Sequence, residues 1–167
     1  PKDFLFSKSD PFYTLARSIV GQQISVKAAQ SVWDKFEKKV KIVKPEFVIK
    51  MHYMKLKSCG LSRQKISYLK SLSSSFINNE INPRKWNNYT DDKIIDELIT
   101  IKGIGRWTAE MYLIFNLCRP DVFPVDDLGL IKGICNCHFL CLYSHKNYFR
   151  LNLIKLKDSI QPYTLNR

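Results

Sequence analysis

The chain has 167 residues, about one domain, with 27 lysines and arginines against 15 aspartates and glutamates and a formal charge of +12. That excess suits a polyanionic partner, nucleic acid first and an acidic membrane surface second. No stretch approaches the ~18 apolar residues of a membrane span and no signal-like segment precedes the first helix, so a soluble, intracellular protein is expected. Five cysteines, an odd number, fit a reducing compartment better than a disulfide framework.

Residues 1 to 10 read as a short polar lead-in. Asp10-Pro11 is a helix start, with Asp as N-cap and Pro at the first helical position. Phe12, Leu15, Ala16, Ile19 and Val20 then recur at amphipathic spacing. After Gly21-Gln22-Gln23-Ile24, Ser25 caps a second helix whose apolar face is Val26, Ala29, Val32, Trp33, Phe36 and Val40. Lys44-Pro45-Glu46 restarts a short helix through Lys50, and Gly60 closes the next turn as a C-cap. Ser62 caps a helix with Ile66, Leu69, Ser73, Phe76 and Ile77 on one face. Residues 78 to 89, rich in Asn, read as a surface loop. Thr90-Asp91-Asp92 caps the following helix, with acidic residues at its positive end. No convincing period-two run interrupts the first 120 residues, so the expected class is all-α.

The most informative stretch runs from 98 to 127. Ile94, Ile95, Leu98 and Ile99 make an amphipathic helix that ends in Gly103-Ile104-Gly105. A second helix starts near Arg106 and places Trp107, Met111, Ile114 and Phe115 on its apolar side. Its N-terminal N–H groups lack intrahelical partners and the helix dipole favours a negative ligand there, so the unit is a candidate phosphate clamp. A Gly-x-Gly turn alone is also a common short connection.

The segment Ile101-Lys102-Gly103-Ile104-Gly105-Arg106-Trp107-Thr108-Ala109, followed by Pro124-Val125-Asp126-Asp127, resembles the helix-hairpin-helix DNA glycosylase superfamily, most closely its DNA-3-methyladenine glycosylase II type. The stretch from Phe12 to Val32 and Leu61-Ser62-Arg63-Gln64-Lys65 resemble further signatures of the same family. The likeness covers roughly residues 10 to 132. It implies a two-lobed, all-α helix-hairpin-helix glycosylase fold in a single domain over 1–167, with the hairpin at about 94–118 and the catalytic loop at 119–127. Where the chain departs from relatives, no N-terminal β domain and a shortened C-terminus are expected. Ile160-Gln161-Pro162-Tyr163-Thr164 resembles the family's Trp-x-Pro-Tyr-Arg helix start without its Trp or Arg.

The resemblance also implies roles. Asp127 is the expected catalytic carboxylate, stabilising positive charge at C1′ and orienting or activating water, with Asp126 as the helix-capping rival. Gln23 is the expected wedge, with Gln22 beside it, filling the gap left by a flipped nucleotide; the plain alternative is a polar pair in a helix–helix turn. Trp107 stands where bifunctional relatives carry a Schiff-base lysine, which implies a monofunctional enzyme that uses water and leaves an abasic site. Its indole suits cationic N-alkylated bases, and it serves equally well as a core residue. Tyr13 and Tyr112 are further pocket candidates. Lys102, Gly103, Gly105 and Arg106 would contact the DNA backbone, and Lys65 and Arg63 either touch phosphate or form a solvated helix start.

The crowded Cys135, Cys137, His138 and Cys141 do not match a familiar zinc spacing, so half-buried core cysteines are expected and no metal or other cofactor. The expected partner is duplex DNA with alkylated bases, met by a monomer in the nucleoid or the nucleus. Two other readings stay open: a non-catalytic DNA-binding module with a degraded pocket, and a lyase of the same superfamily. Trp107 and the cysteine spacing count against the lyase.

Overall fold

The computed structural model describes residues 10–136, without the side chains of 134–136. They belong to two compact units, one ending at Cys118 and the other beginning at Arg119. Among the described residues every regular element is helical, as the missing period-two pattern predicts. The first unit contains α1 (Pro11–Gly21), α2 (Val26–Val40), α3 (Pro45–Lys50), α4 (Tyr53–Lys57), α5 (Arg63–Ile77), a 3-10 helix (Pro83–Asn88), α6 (Asp91–Ile99) and α7 (Arg106–Phe115). The second contains α8 (Leu128–Asn136). The lead-in before Asp10, the group Cys137, His138 and Cys141, the Cys135 side chain and residues 160–164 lie outside the described part.

Short polar side chains start the helices where the sequence places them. Asp10 Oδ1 accepts the Phe12 amide at 2.8 Å, Ser25 Oγ that of Ala28 at 3.3 Å, Ser62 Oγ that of Lys65 at 3.2 Å and Thr90 Oγ1 that of Lys93 at 3.4 Å. Each satisfies a donor the helix cannot pair internally, worth about 1 kcal/mol.

Helix α5 is the hub, packing against α1, α3 and α4, while α1 also meets α2 and α7, and α6 pairs with α7. Its Ile66, Leu69 and Leu72 are buried with Phe12, Leu15, Ile19, Trp33 and Phe36 of α1 and α2. Each such side chain taken from water contributes roughly 1.5–3 kcal/mol. Two lysines of α5 reach neighbouring helix ends: Lys70 Nζ donates to the carbonyls of Ile49 and Met51 at the end of α3, and Lys65 Nζ to that of Val20 in the last turn of α1. A cation at a helix C-terminus is favoured by the dipole and satisfies carbonyls that have no partner within the helix.

Several expectations are corrected by position. Val26 is 89% exposed because it opens the first turn of α2, beyond the reach of the core, and Ile77 and Ile99 are exposed at the last turns of α5 and α6. The Asn-rich loop holds a 3-10 helix whose Trp86 is fully buried, its indole N–H donating to Glu97 Oε2 at 2.7 Å.

The largest correction concerns α7. Its buried residues are Thr108, Ala109, Glu110, Tyr112 and Leu113, none of them among the expected Trp107, Met111, Ile114 and Phe115. At about 100° per residue the centres of the two sets lie roughly 170° apart, so nearly the opposite face of the helix is buried. Counting bulk favours Trp and Phe. The core instead takes small Ala109 where the helices approach, and stacks Tyr112 edge-on against Trp86 with centroids 5.3 Å apart.

Burial therefore raises the Tyr112 phenol from 10.0 to about 12, opposed by its hydrogen bond with Asn116 and assisted by the charge of Asp10. Because the folded pKa lies above the unfolded one, this stabilisation is complete below pH 10 and lost as pH rises through about 12. Tyrosinate absorbance should show one late-titrating phenol. Tyr112→Phe should flatten the fall in unfolding free energy over that range by roughly 2 kcal/mol. A fall as steep in the variant as in the parent would refute the assignment.

Candidate nucleic-acid interface

The turn between α6 and α7 is fixed from within. Ile101 and Ile104 are buried, and the Ile104 amide donates to the Ile101 carbonyl at 3.0 Å. Gly103 takes φ +98°, and a β-carbon there would lie 2.2 Å from Cγ of Tyr68 on α5. Both the backbone angle and the space require glycine. Gly105 differs. As N-cap of α7 it has an ordinary φ of −92°, no side chain caps the helix, and a β-carbon would meet nothing within 4 Å. The fold itself does not require glycine there. Its absent side chain leaves the positive end of α7 open to a close approach from outside.

The Gly21-Gln22-Gln23 turn is joined to this hairpin. Gln22 Nε2 donates to the Gly103 carbonyl at 2.9 Å, so Gln22 is a link between two turns, where the sequence reading sets it beside the wedge. Gln23 is exposed and carries a left-handed φ of 58°, uncommon for a residue with a β-carbon. Lys65 is neither a solvated lysine nor an outward one: its Nζ lies 2.7 Å from the Val20 carbonyl, and burial lowers its pKa below the usual 10.5. A polar cavity of about 370 Å³ lies between the Gln22-Gln23 turn, the start of α5 at Ser62, Lys65 and Tyr68, and the two hairpin glycines.

The remaining candidates of the first unit separate clearly. Lys102 is exposed on the hairpin. Arg106 Nε donates to Glu110 Oε1 at 3.0 Å, and a terminal nitrogen lies 3.9 Å from Asp92, so this cation braces α6 and α7. Of the three aromatic residues nominated for a base pocket, Trp107 alone is exposed, at 44%. Tyr112 is a core residue, because the turned face of α7 points it at Trp86. Tyr13 is half-buried; its hydroxyl donates to Glu37 at 2.8 Å and accepts from the Trp33 indole at 3.2 Å, which joins α1 to α2. The rotation of α7 has a consequence for the site. Trp107 at 44% and Phe115 at 57% exposed, with half-buried Met111 and Ile114 between them, form an apolar stripe outside the core that begins at the hairpin. The sequence reading places these four on one apolar side, with Trp107 serving equally as base pocket or as core.

In the second unit Asp127 caps α8. Its Oδ1 accepts the Leu130 amide at 2.7 Å and its carbonyl accepts that of Ile131 at 2.9 Å, while its own amide donates to the Pro124 carbonyl at 3.0 Å. Capping thus falls to Asp127, although the sequence reading gave it to Asp126, which is exposed. A β-carbon on Gly129 would lie 3.0 Å from Asp127 Oδ1, so glycine keeps that approach clear.

The family described as HhH-GPD superfamily base excision DNA repair protein matches residues 16–152. The DNA-3-methyladenine glycosylase 1 of Schizosaccharomyces pombe is 35% identical over 145 residues, 84% of this chain and 64% of that protein. The DNA-3-methyladenine glycosylase of Saccharomyces cerevisiae is 36% identical over 140 residues, 74% of this chain and 45% of that protein. The chain therefore spans about half to two thirds of the length of these relatives. Among solved structures, a DNA-3-methyladenine glycosidase from Bacillus halodurans gives a TM-score of 0.82 at 30% identity, covering 94% of this chain and 71% of that one. The S. pombe 3-methyladenine DNA glycosylase in complex with abasic DNA gives 0.75 at 34% identity, covering 84% and 70%. With its hairpin docked on an all-helical core and the family match running through most of its length, the chain belongs to the HhH-GPD superfamily of base excision DNA repair proteins.

Proposed function

We propose that this chain is a monofunctional DNA N-glycosylase that removes alkylated bases of the 3-methyladenine type from duplex DNA and leaves an abasic site. The observation that carries the reading is the apolar stripe led by Trp107, which starts where the hairpin presents an open helix end. An exposed indole beside a phosphate-binding element is what stacking on a flipped, cationic base requires. Similarity to relatives named as 3-methyladenine glycosylases, one of them solved with abasic DNA, supports the substrate class.

On this reading the amides at the start of α7 and the charge of Lys102 hold the DNA backbone, and Gln23 enters the gap left by the extruded nucleotide. The Asp127 carboxylate stabilises positive charge at C1′ as the C1′–N bond breaks and the base departs with the bonding electrons. Water adds at C1′ and loses its proton, which gives the abasic sugar. Trp107 supplies no amine, so no Schiff base forms. No described helix is long and apolar enough to cross a membrane. The proposed partner is alkylated duplex DNA, met by a monomer inside the cell.

Release of 3-methyladenine from alkylated duplex tests the activity. Asp127→Asn should abolish it while the helix stays capped, because an amide oxygen still accepts the Leu130 N–H. Asp126→Asn should retain most of it. Equal losses would sink the assignment, and no release by folded parent protein would sink the activity itself. Gly103→Ala should cost about 1–3 kcal/mol in urea unfolding through backbone strain and the clash with Tyr68. Gly105→Ala should unfold like the parent yet bind duplex more weakly, and the reverse pattern would refute the division of labour between the two glycines. Log affinity should fall with log salt by about 0.9 for each phosphate engaged; a flat response would remove the proposed footprint.

A further inference from the structure

The lysine whose ammonium group caps the last turn of α1 has a use beyond packing. Helix α1 has no basic residue in its last turn, and the chain leaves it abruptly through Gly21 and Gln22 into the left-handed Gln23. The Gln22 amide donates to the Ile19 carbonyl at 3.4 Å, a long bond that holds the exit weakly. Lys65, from the first turn of α5, provides the cation that α1 lacks, 2.7 Å from the Val20 carbonyl, and forms part of the wall of the polar cavity beneath Gln22 and Gln23. From this geometry we infer that Lys65 is a positioning residue for the wedge: it fixes the end of α1 so that the turn offers Gln23 outward, and its ammonium is spent on Val20 and not on DNA phosphate. Gln22, bound to the Gly103 carbonyl, holds the other side of the same turn, so Gln23 projects from a loop pinned to both α5 and the hairpin.

The inference rests on the proposed role of Gln23 in entering DNA, and its test is built to separate the two. The probe is a duplex with a tetrahydrofuran abasic site flanked by 2-aminopurine, whose fluorescence changes when a side chain fills the gap; undamaged duplex is the control. Lys65→Met keeps the stem and removes the cation. It should weaken binding to the abasic duplex roughly fivefold and diminish the fluorescence change, with binding to undamaged duplex and its salt slope unchanged. Lys65→Arg should restore most of both. In a Gln23→Ala background Lys65→Met should have no further effect, because a residue acting through the wedge has nothing left to position. If Lys65→Met loses its helical signal, Lys65→Gln, whose amide still reaches toward the carbonyl, is read in the same way and should show a smaller loss.

Equal weakening on both duplexes, with a salt slope lower by about 0.9, would make Lys65 a phosphate contact and overturn the inference. Additive effects of Lys65→Met and Gln23→Ala would overturn it too. A parent protein with no fluorescence change on the abasic probe would refute the wedge reading itself.

Discussion

Gly103 adopts φ +98° with the Tyr68 ring where its β-carbon would be, and the interface side of the first unit depends on that contact. A larger residue would push the hairpin off α5. In the observed position the Gly103 carbonyl accepts the Gln22 amide, which brings the turn after α1 to the same place. Residues 22, 68 and 103 thus meet although 81 positions separate the first from the last. The hairpin, the candidate wedge turn and the start of α5 form one surface because a missing side chain lets a ring and a carbonyl lie side by side. At Gly105, two positions on, a β-carbon would meet nothing within 4 Å, so one short motif combines a glycine the fold demands with one it does not.

Helix α5 transmits that anchoring. Its apolar face holds the core together, and its two lysines bind the ends of α1 and α3 through carbonyls those helices cannot pair themselves. Burial lowers the pKa of both Lys65 and Lys70. The cost of partial desolvation is offset by hydrogen bonds to carbonyls at the negative end of a dipole. Here a part of the +12 charge is structural. A basic chain is not basic only for the sake of its ligand, and of the cations nearest the hairpin, Arg106 is braced by carboxylates while Lys102 is exposed.

What was legible in the sequence was local. Asp10, Ser25, Ser62 and Thr90 announce their helices because capping acts within three residues, and the spacing of Phe12, Leu15 and Ile19 gives the buried face of α1 directly. The Gly-x-Gly hairpin was visible for the same reason. The roll of α7 was not, since bulk and hydropathy cannot say whether Trp107 or Ala109 meets the neighbouring helices; the docking of the hairpin decides that. Trp86 hid in a polar segment because its partners, Glu97 and Tyr112, lie on later helices. The sequence reading puts Lys65 on phosphate or in solvent, and nothing marks Lys70, because a side chain reaching a carbonyl 45 or 19 positions away leaves no periodic trace.

In the proposed reaction, one member of the aspartate pair serves both stability and chemistry. An N-cap aspartate is ordinarily read as structural, and Asp127 does cap α8, with Oδ1 on the Leu130 amide. That bond holds the carboxylate at the positive end of a helix, the position from which, in the proposed reaction, it would face positive charge at C1′. Capping is therefore compatible with the catalytic role proposed for Asp127. Asp126, one position earlier, is exposed. In the proposed reaction, a carboxylate already held in place, as Asp127 is by the Leu130 amide, spends little free energy on reorientation. Gly129 belongs to the same arrangement, since a side chain there would crowd Oδ1 at 3.0 Å and disturb the cap together with the charge it presents.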